Sequence, residues 1–302
     1  MIISQIETIR VAQFPDLIFV QVHTDTGLTG LGETWYAAST VESAIHDHFG
    51  PLLVGRDPFE IERHWQTMFR LSDHAGYGGA ELRAISAIDV ALWDIKGQSL
   101  NMPIFEIIGG GTRNRIKVYN TLGVYGEIDE AHKVWSDPVE VAKSLLDQGI
   151  TGMKMSPTDF IARESDGQLL FQDDLDWALR PIREIREKLG MEIDIANDAH
   201  GKWNLPNAMR IVRELESMRL MWHEELISPL NEEAHQRLQA VTSTPIAAAE
   251  RLMTRYQHRR FIESSAARIS MPDLTWTGGI SEVKKIAVIA SAHQKPIAPH
   301  DC

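Results

Sequence analysis

Between residues 2 and 32 apolar and polar side chains take turns. "ISQIETIRVA" and "LIFVQVHTDTGLTGLGE" carry the two-residue period of half-buried strands, the second broken by the turn sequence "TDTG". A β-meander is expected there. From about 40 to 110 the period lengthens. In "ELRAISAIDVALWDIKGQSL" the apolar residues Leu82, Ile85, Ile88, Leu92 and Ile95 recur at the three-to-four-residue stride of a helix. Pro103 and Gly109 to Gly111 in "NMPIFEIIGGG" punctuate its end. Strands followed by helices predict an α+β unit at the N-terminus.

Beyond it the texture changes. Short apolar runs, "IKVYNTLG", "TGMKMSP", "EIDIANDAH", "LMWHEEL", "PIAAAER", "ARISMPD" and "KPIAPHD", alternate with amphipathic stretches such as "PVEVAKSLLDQG", "LRPIREIREKLG", "PNAMRIVRELES", "NEEAHQRLQAVT" and "GISEVKKIAVIASAH". Strand and helix in alternation predict an α/β class with parallel strands and helical crossovers, either a (β/α) barrel of the TIM type or an open doubly wound sheet. No glycine-rich phosphate loop follows the first of these strands, which counts against nucleotide binding.

Composition narrows the partners. The 302 residues are 43% hydrophobic and 24% charged, enough for one large domain or two modest ones. A net charge of -12 with no basic run repels phosphate backbones, so nucleic acid is not an expected partner. Cys302 is the single cysteine, which rules out an internal disulfide and suits a reducing compartment. The N-terminus shows neither a signal peptide nor a membrane span, and a cytoplasmic location is expected.

The candidate chemistry sits where the strands end. Five successive runs finish on Asp198, Glu224, Glu250, Asp273 and His300, at intervals of 26, 26, 23 and 27 residues. Each interval is about one βα repeat, and in a barrel such ends converge on one mouth. One carboxylate at a strand end is usually a helix cap or a solvated loop residue, but five in step with the repeat are harder to place that way. Three neighbouring carboxylates repel one another unless a cation lies among them. An oxygen-only set suits a hard divalent ion, so Asp198, Glu224 and Glu250 are expected to hold Mg²⁺. Glu225 competes with Glu224, and strand alternation favours Glu224. Asp273 beside His300 would fix the imidazole tautomer and make it a better base, although such a pair can also be purely structural. His200, two residues past Asp198, would face the same side on an extended chain.

These residues resemble the enolase superfamily, in particular its mandelate racemase-like branch. Carboxylates closing the third, fourth and fifth barrel strands match that family's metal ligands. "SMPDLTWTGGISE" is similar to its sixth-strand segment, "PIAPH" to its seventh, and "AISAIDVALWDIKGQSLNMPIFEIIGG" to the segment joining its capping domain to its barrel. The resemblance implies a capping domain over residues 1–115 and a barrel domain over 116–302. It implies removal of a proton next to a substrate carboxylate, with Mg²⁺ stabilising the dianionic enolate. His300, backed by Asp273, would be the base. A histidine at position 200 is similar to that of the sugar-acid dehydratases, galactonate-type above all, where it protonates the departing β-hydroxyl to give a 2-keto-3-deoxy acid. Its alternative is a histidine that merely bonds nearby backbone.

Lys154 in "GMKMSP" would stabilise the enolate or contact the substrate carboxylate, a surface lysine being the alternative. Relatives often carry a second lysine one residue further on, acting as base on the opposite face. Here Lys154-Met155-Ser156 lacks it, which weighs against a two-base racemase or epimerase. Leu226 stands where the family usually has proline. "GETWYAAS", around Glu33 to Tyr36, and "SDHAGYGG", around His74 to Gly79, are the loops expected to close over a small carboxylate substrate. The chain stops at "PHDC", so the eighth strand of a full barrel, with its acidic substrate-binding residue, is missing and an inactive truncated member is a further alternative. Neither membrane nor nucleic acid is an expected partner; a homo-oligomer is.

Overall fold

The N-terminal alternation becomes a three-stranded antiparallel meander in the computed structural model, which describes residues 1–300 and leaves Cys302 outside the described residues. Its strands are β1 (Ile3–Val11), β2 (Phe14–Thr24) and β3 (Thr29–Trp35), in that order across the sheet. Along β2 every second residue, Ile18, Val20, Val22 and Thr24, is buried, the signature of a sheet with one covered face. The cover is the helix Ala80–Leu100, whose apolar stripe Leu82, Ile85, Ile88, Leu92 and Ile95 is fully buried. Helix and sheet approach closely because β3 carries Gly30 and Gly32. A Cβ at either would run into the backbone carbonyl of Ala91 or Ala87. Asn101, in the left-handed conformation, ends the helix two residues before Pro103.

Contacts divide the chain into two compact units. One joins Met1–Asn114 to Glu250–Arg260 and to the chain from Ser270 on; the other comprises Arg115–Ala249 and Phe261–Ile269. In the first unit the core runs from Ile3, Val20 and Val22 through Trp65, Met68 and Leu92 to Met253 and Trp276. Three side chains of its N-terminal helices grip the backbone that opens the helix Gly279–Ala292. Trp65 Nε1 donates to Gly278 O (2.8 Å), Gly278 N donates to Ser86 Oγ (2.8 Å), and Ser281 N donates to Asp89 Oδ2 (3.0 Å). Asp89 is buried, and burial pushes its carboxyl up to about 7.

In the second unit the alternation of strands and helices holds. After a short hairpin, β4 (Val124–Tyr125) and β5 (Ile128–Asp129), come the parallel strands β6 (Gly152–Met155), β7 (Asp194–Asp198), β8 (Trp222–Glu224) and β9 (Ile246–Ala248). The sheet order is β10-β9-β8-β7-β6, with β10 (Ile269–Ser270) at its edge. The helices Gln172–Leu189, Leu205–Leu215 and Glu232–Gln239 make the crossovers. Two of them begin on asparagine caps: Asn204 Oδ1 accepts from Asn207 N, with Pro206 in the first turn, and Asn231 Oδ1 accepts from Ala234 N.

Two expected strands shrink. "IKVYNTLG" reduces to a single bridge, Asn120 beside Met153, because only Asn120 exchanges backbone bonds with β6; Ile116 and Val118 are exposed. "KPIAPHD" likewise contributes two isolated bridges, Ser270 with Ile297 and Asp273 with His300, where prolines 296 and 299 remove ladder donors. "GETWYAAS" is not a loop through most of its length: Glu33 to Trp35 belong to β3, and only Tyr36 and Ala37 turn away, both left-handed. Among the described residues no helix is long and apolar enough to cross a membrane.

Buried histidines give the fold an acid limit. Burial pushes His235 and His258 down to about 4, against about 6.5 in an unfolded chain. Between those values the unfolded state binds protons that the folded state refuses. Their stabilising contribution is therefore complete above pH 6.5 and is lost as pH falls through 4. Each adds a slope of up to about 1.4 kcal/mol per pH unit in that window. Urea unfolding at pH 7 and pH 5 should show it, and His258→Gln should flatten the slope; an unchanged slope would exclude His258 as a contributor.

Candidate active site

The register of β7 against β8 sets the centre of the second unit. Asp198 pairs directly with Glu224, each the last residue of its strand. Both are buried, and between them lies the ammonium of Lys154 from β6. Lys154 Nζ donates to Glu224 Oε1 and stands 3.1 Å from Asp198 Oδ2. A surface lysine is thereby excluded. Trp222 Nε1 donates to the other oxygen of Glu224 (2.8 Å), and Trp222 meets Tyr119 edge-on.

Electrostatics follows from this packing. Burial alone would lower the Lys154 ammonium, but the charges of Asp198 and Glu224 outweigh it and hold Lys154 above the ordinary lysine value. Burial opposes ionisation of Asp198 as well, yet Lys154 and His200 together hold it below the usual carboxylate value. Glu224 goes the other way: burial and the neighbouring Asp198 charge push it up, only partly offset by Lys154. Two carboxylates against one ammonium leave the centre short of positive charge. Their donor atoms are all oxygen, so the set fits a hard divalent cation.

The turn beyond β8, not strand alternation, separates Glu224 from Glu225. The chain turns at Glu225, in the left-handed region, and its Oε1 accepts from Ala249 N (3.1 Å). That carboxylate anchors backbone. His200 reaches the centre by a different route from the one its spacing suggests. The strand ends at Asp198, and His200 is left-handed, so no extended chain carries it. Instead His200 N donates to Asp198 Oδ1 (3.0 Å), an Asx turn that returns the ring to 3.5 Å from Asp198 Oδ2. Its Nδ1 lies 2.8 Å from Asp159 Oδ2, and Lys202 Nζ bonds the same oxygen. Asp159 and Lys202 were not visible in the strand-end pattern. The one signal was Asp159's place in "SPTDF", just past β6.

The first unit assembles the remaining residues. Glu250 stands two positions beyond β9 and Asp273 three beyond β10, so neither closes its strand as the spacing suggested; the strands are shorter than the apolar runs. Asp273 and His300 form a bridge, and His300 Nδ1 lies 2.8 Å from Asp273 Oδ2. The other oxygen of Asp273 accepts from Thr275 N (2.7 Å) and Thr275 Oγ1 (2.9 Å), which locks the carboxylate's orientation. His300 Nε2 lies 3.3 Å from Glu250 Oε2. Trp276 packs against the imidazole at 5.1 Å between ring centres, and the Arg83 guanidinium covers Trp276 at 4.2 Å.

Comparison with known proteins identifies the family. The family model for the mandelate racemase / muconate lactonizing enzyme N-terminal domain matches residues 5–109, and that described as enolase C-terminal domain-like matches 137–302. A D-galactonate dehydratase of Variovorax paradoxus (strain S110) is 37% identical over 300 residues, which is 99% of this chain and 74% of that one. A D-galactonate dehydratase of Cronobacter sakazakii is 35% identical over 303 residues, with the same coverage of each. Among solved structures, an enolase of the mandelate racemase subgroup from Agrobacterium tumefaciens superposes with a TM-score of 0.91 at 40% identity, over all of this chain and 79% of that one. The chain belongs to the mandelate racemase/muconate lactonizing enzyme family of the enolase superfamily.

Proposed function

We propose that the protein is a Mg²⁺-dependent dehydratase that converts an aldonate-type sugar acid, with D-galactonate the first candidate, into its 2-keto-3-deoxy acid. As a superfamily member with dehydratase relatives it is an enzyme of the lyase class, a hydro-lyase. The observation that carries the finer reading is the His300–Asp273 pair. With Nδ1 tied to a carboxylate, Nε2 is the basic nitrogen. Asp198, Glu224 and Glu250 would hold Mg²⁺. When bound, the ion supplies a Lewis acid that stabilises negative charge on the substrate carboxylate.

The chain's own residues perform the rest. His300 Nε2 takes the proton from the carbon next to the carboxylate, and Asp273 keeps the resulting imidazolium paired. Lys154, held above its ordinary value, stays cationic and faces the negative charge that builds up. His200 gives a proton to the departing β-hydroxyl, which leaves as water. The enol so formed tautomerises to the keto acid. Residues 1–115 as the capping domain, residues 116–302 as the barrel domain, a homo-oligomeric state and a cytoplasmic location belong to the same proposal. Ser156, where a second lysine would stand, weighs against a racemase or epimerase using the same enolate.

The test is incubation of the purified protein and Mg²⁺ with D-galactonate and a panel of stereoisomeric aldonates, with detection of 2-keto products. A keto acid that vanishes with EDTA and returns with added Mg²⁺ is expected. Interconversion of stereoisomers without keto acid would replace the dehydratase by the epimerase, and inertness toward the whole panel would sink the substrate class.

A further inference from the structure

The turn after β6 carries a carboxylate that the family-level reading leaves unused. Asp159 opens the helix Asp159–Ser165 and is mostly buried; one of its oxygens takes two partners at once. Oδ2 lies 2.8 Å from His200 Nδ1 and also accepts from Lys202 Nζ. The turn is fixed to the segment it serves at a further point, because Trp203 Nε1 donates to the buried hydroxyl of Thr158 (3.0 Å). Lys202 is itself held by a backbone bridge to Ile227. His200 occupies a strained left-handed position, followed by left-handed Gly201, so its ring direction is set by these partners and the Asx turn together.

We propose that Asp159 is the positioning residue of His200: its carboxylate, 2.8 Å from Nδ1, fixes the ring so that Nε2 is the nitrogen left to act. A carboxylate only accepts, so the imidazole must donate from Nδ1. Nε2, on the other side of the ring, lies 3.5 Å from Asp198 Oδ2. The inference rests on the reading of His200 as the acid of the elimination. The Cα–H electrons first pass into the enolate, and in the elimination that follows the enolate pair forms the new Cα=Cβ bond as the Cβ–O bond breaks. His300 keeps the α-proton, the Nε2 proton of His200 leaves with the hydroxyl as water, and the Nδ1 proton stays between His200 and Asp159. Lys202 holds the same carboxylate oxygen from its other side.

Nuclear magnetic resonance tests the placement without substrate. With ¹⁵N-labelled histidine at pH 8, the His200 signals, assigned by their loss in His200→Asn, should show the Nδ1–H tautomer. Asp159→Ala should abolish that preference. In the presence of Mg²⁺ and D-galactonate the same variant should lose dehydration by about 10- to 100-fold, the usual cost of removing a histidine's carboxylate partner. Its exchange of the substrate α-proton with solvent deuterium should persist, and Asp159→Glu should recover part of the loss. A tautomer that ignores Asp159→Ala would overturn the proposal, as would exchange and elimination falling together, which would mark Asp159 as merely structural. Dehydration by His200→Asn at the wild-type rate would instead remove the acid assignment on which the role depends, an outcome the tautomer measurement keeps separate.

Discussion

Replacing His300 with Asn is expected to lower exchange of the substrate α-proton with solvent by about 10²- to 10⁴-fold, the span that positioned general bases contribute. Asn matches the imidazole in polarity and part of its shape but cannot take up a proton. Asp273 keeps both bonds from Thr275, so the carboxylate stays oriented and the local backbone is preserved. Deuterium incorporation measured by mass spectrometry, with circular dichroism as a check on folding, separates loss of the base from loss of structure. His200→Asn forms the contrast: it should block elimination while exchange continues. Exchange at the wild-type rate in His300→Asn would move the base elsewhere.

Replacing Lys154 with Met is expected to cost about 3–5 kcal/mol of folding stability, the penalty for breaking a buried pair and stranding its charge. Here two carboxylates are stranded, since Asp198 and Glu224 are register partners with Lys154 between them. Met keeps the apolar length of the side chain, so packing changes little. Burial and the Asp198 charge already push Glu224 above the usual carboxylate value, and losing Lys154 removes the charge that partly offsets that rise. Urea unfolding in EDTA measures the loss. Added Mg²⁺ should return more stability to the variant than to the wild type, because a cation would relieve the same repulsion. Equal stability of the two proteins in EDTA would show that the centre tolerates both charges unaided.

The parts of the site that sequence made legible share one property: their spacing is the length of a βα repeat. Asp198 and Glu224 stand in register because β7 and β8 are neighbours of equal phase, whereas Glu225 is turned away by the left-handed turn just past β8. Asp273 and His300 were legible together for a related reason, being one repeat apart and bridged. Asp159 was not, because its partner lies 41 positions on and the two meet through turns that have no period. The short bridges at Asn120 and His300 were overestimated as strands because apolar runs report burial and not ladder hydrogen bonds. Asp89 was hidden for the opposite reason. It sits within a helical stride that reads as apolar, and only the capping of a helix nearly two hundred residues later explains a carboxylate there.

That long reach sets where the chain can be recombined. Trp65, Ser86 and Asp89 hold the backbone at Gly278 and Ser281, just past Asp273, and Thr34 Oγ1 donates to Thr275 O (2.8 Å). A chimera that takes residues 1–114 from one relative and everything after from another would cut through all four bonds at once. Exchanges that carry residues 250–260 and the chain from 270 on together with the N-terminal segment keep each donor with its acceptor. In this protein the transferable module is discontinuous in sequence, and shuffling libraries built with a single crossover near residue 115 should be enriched in misfolded members.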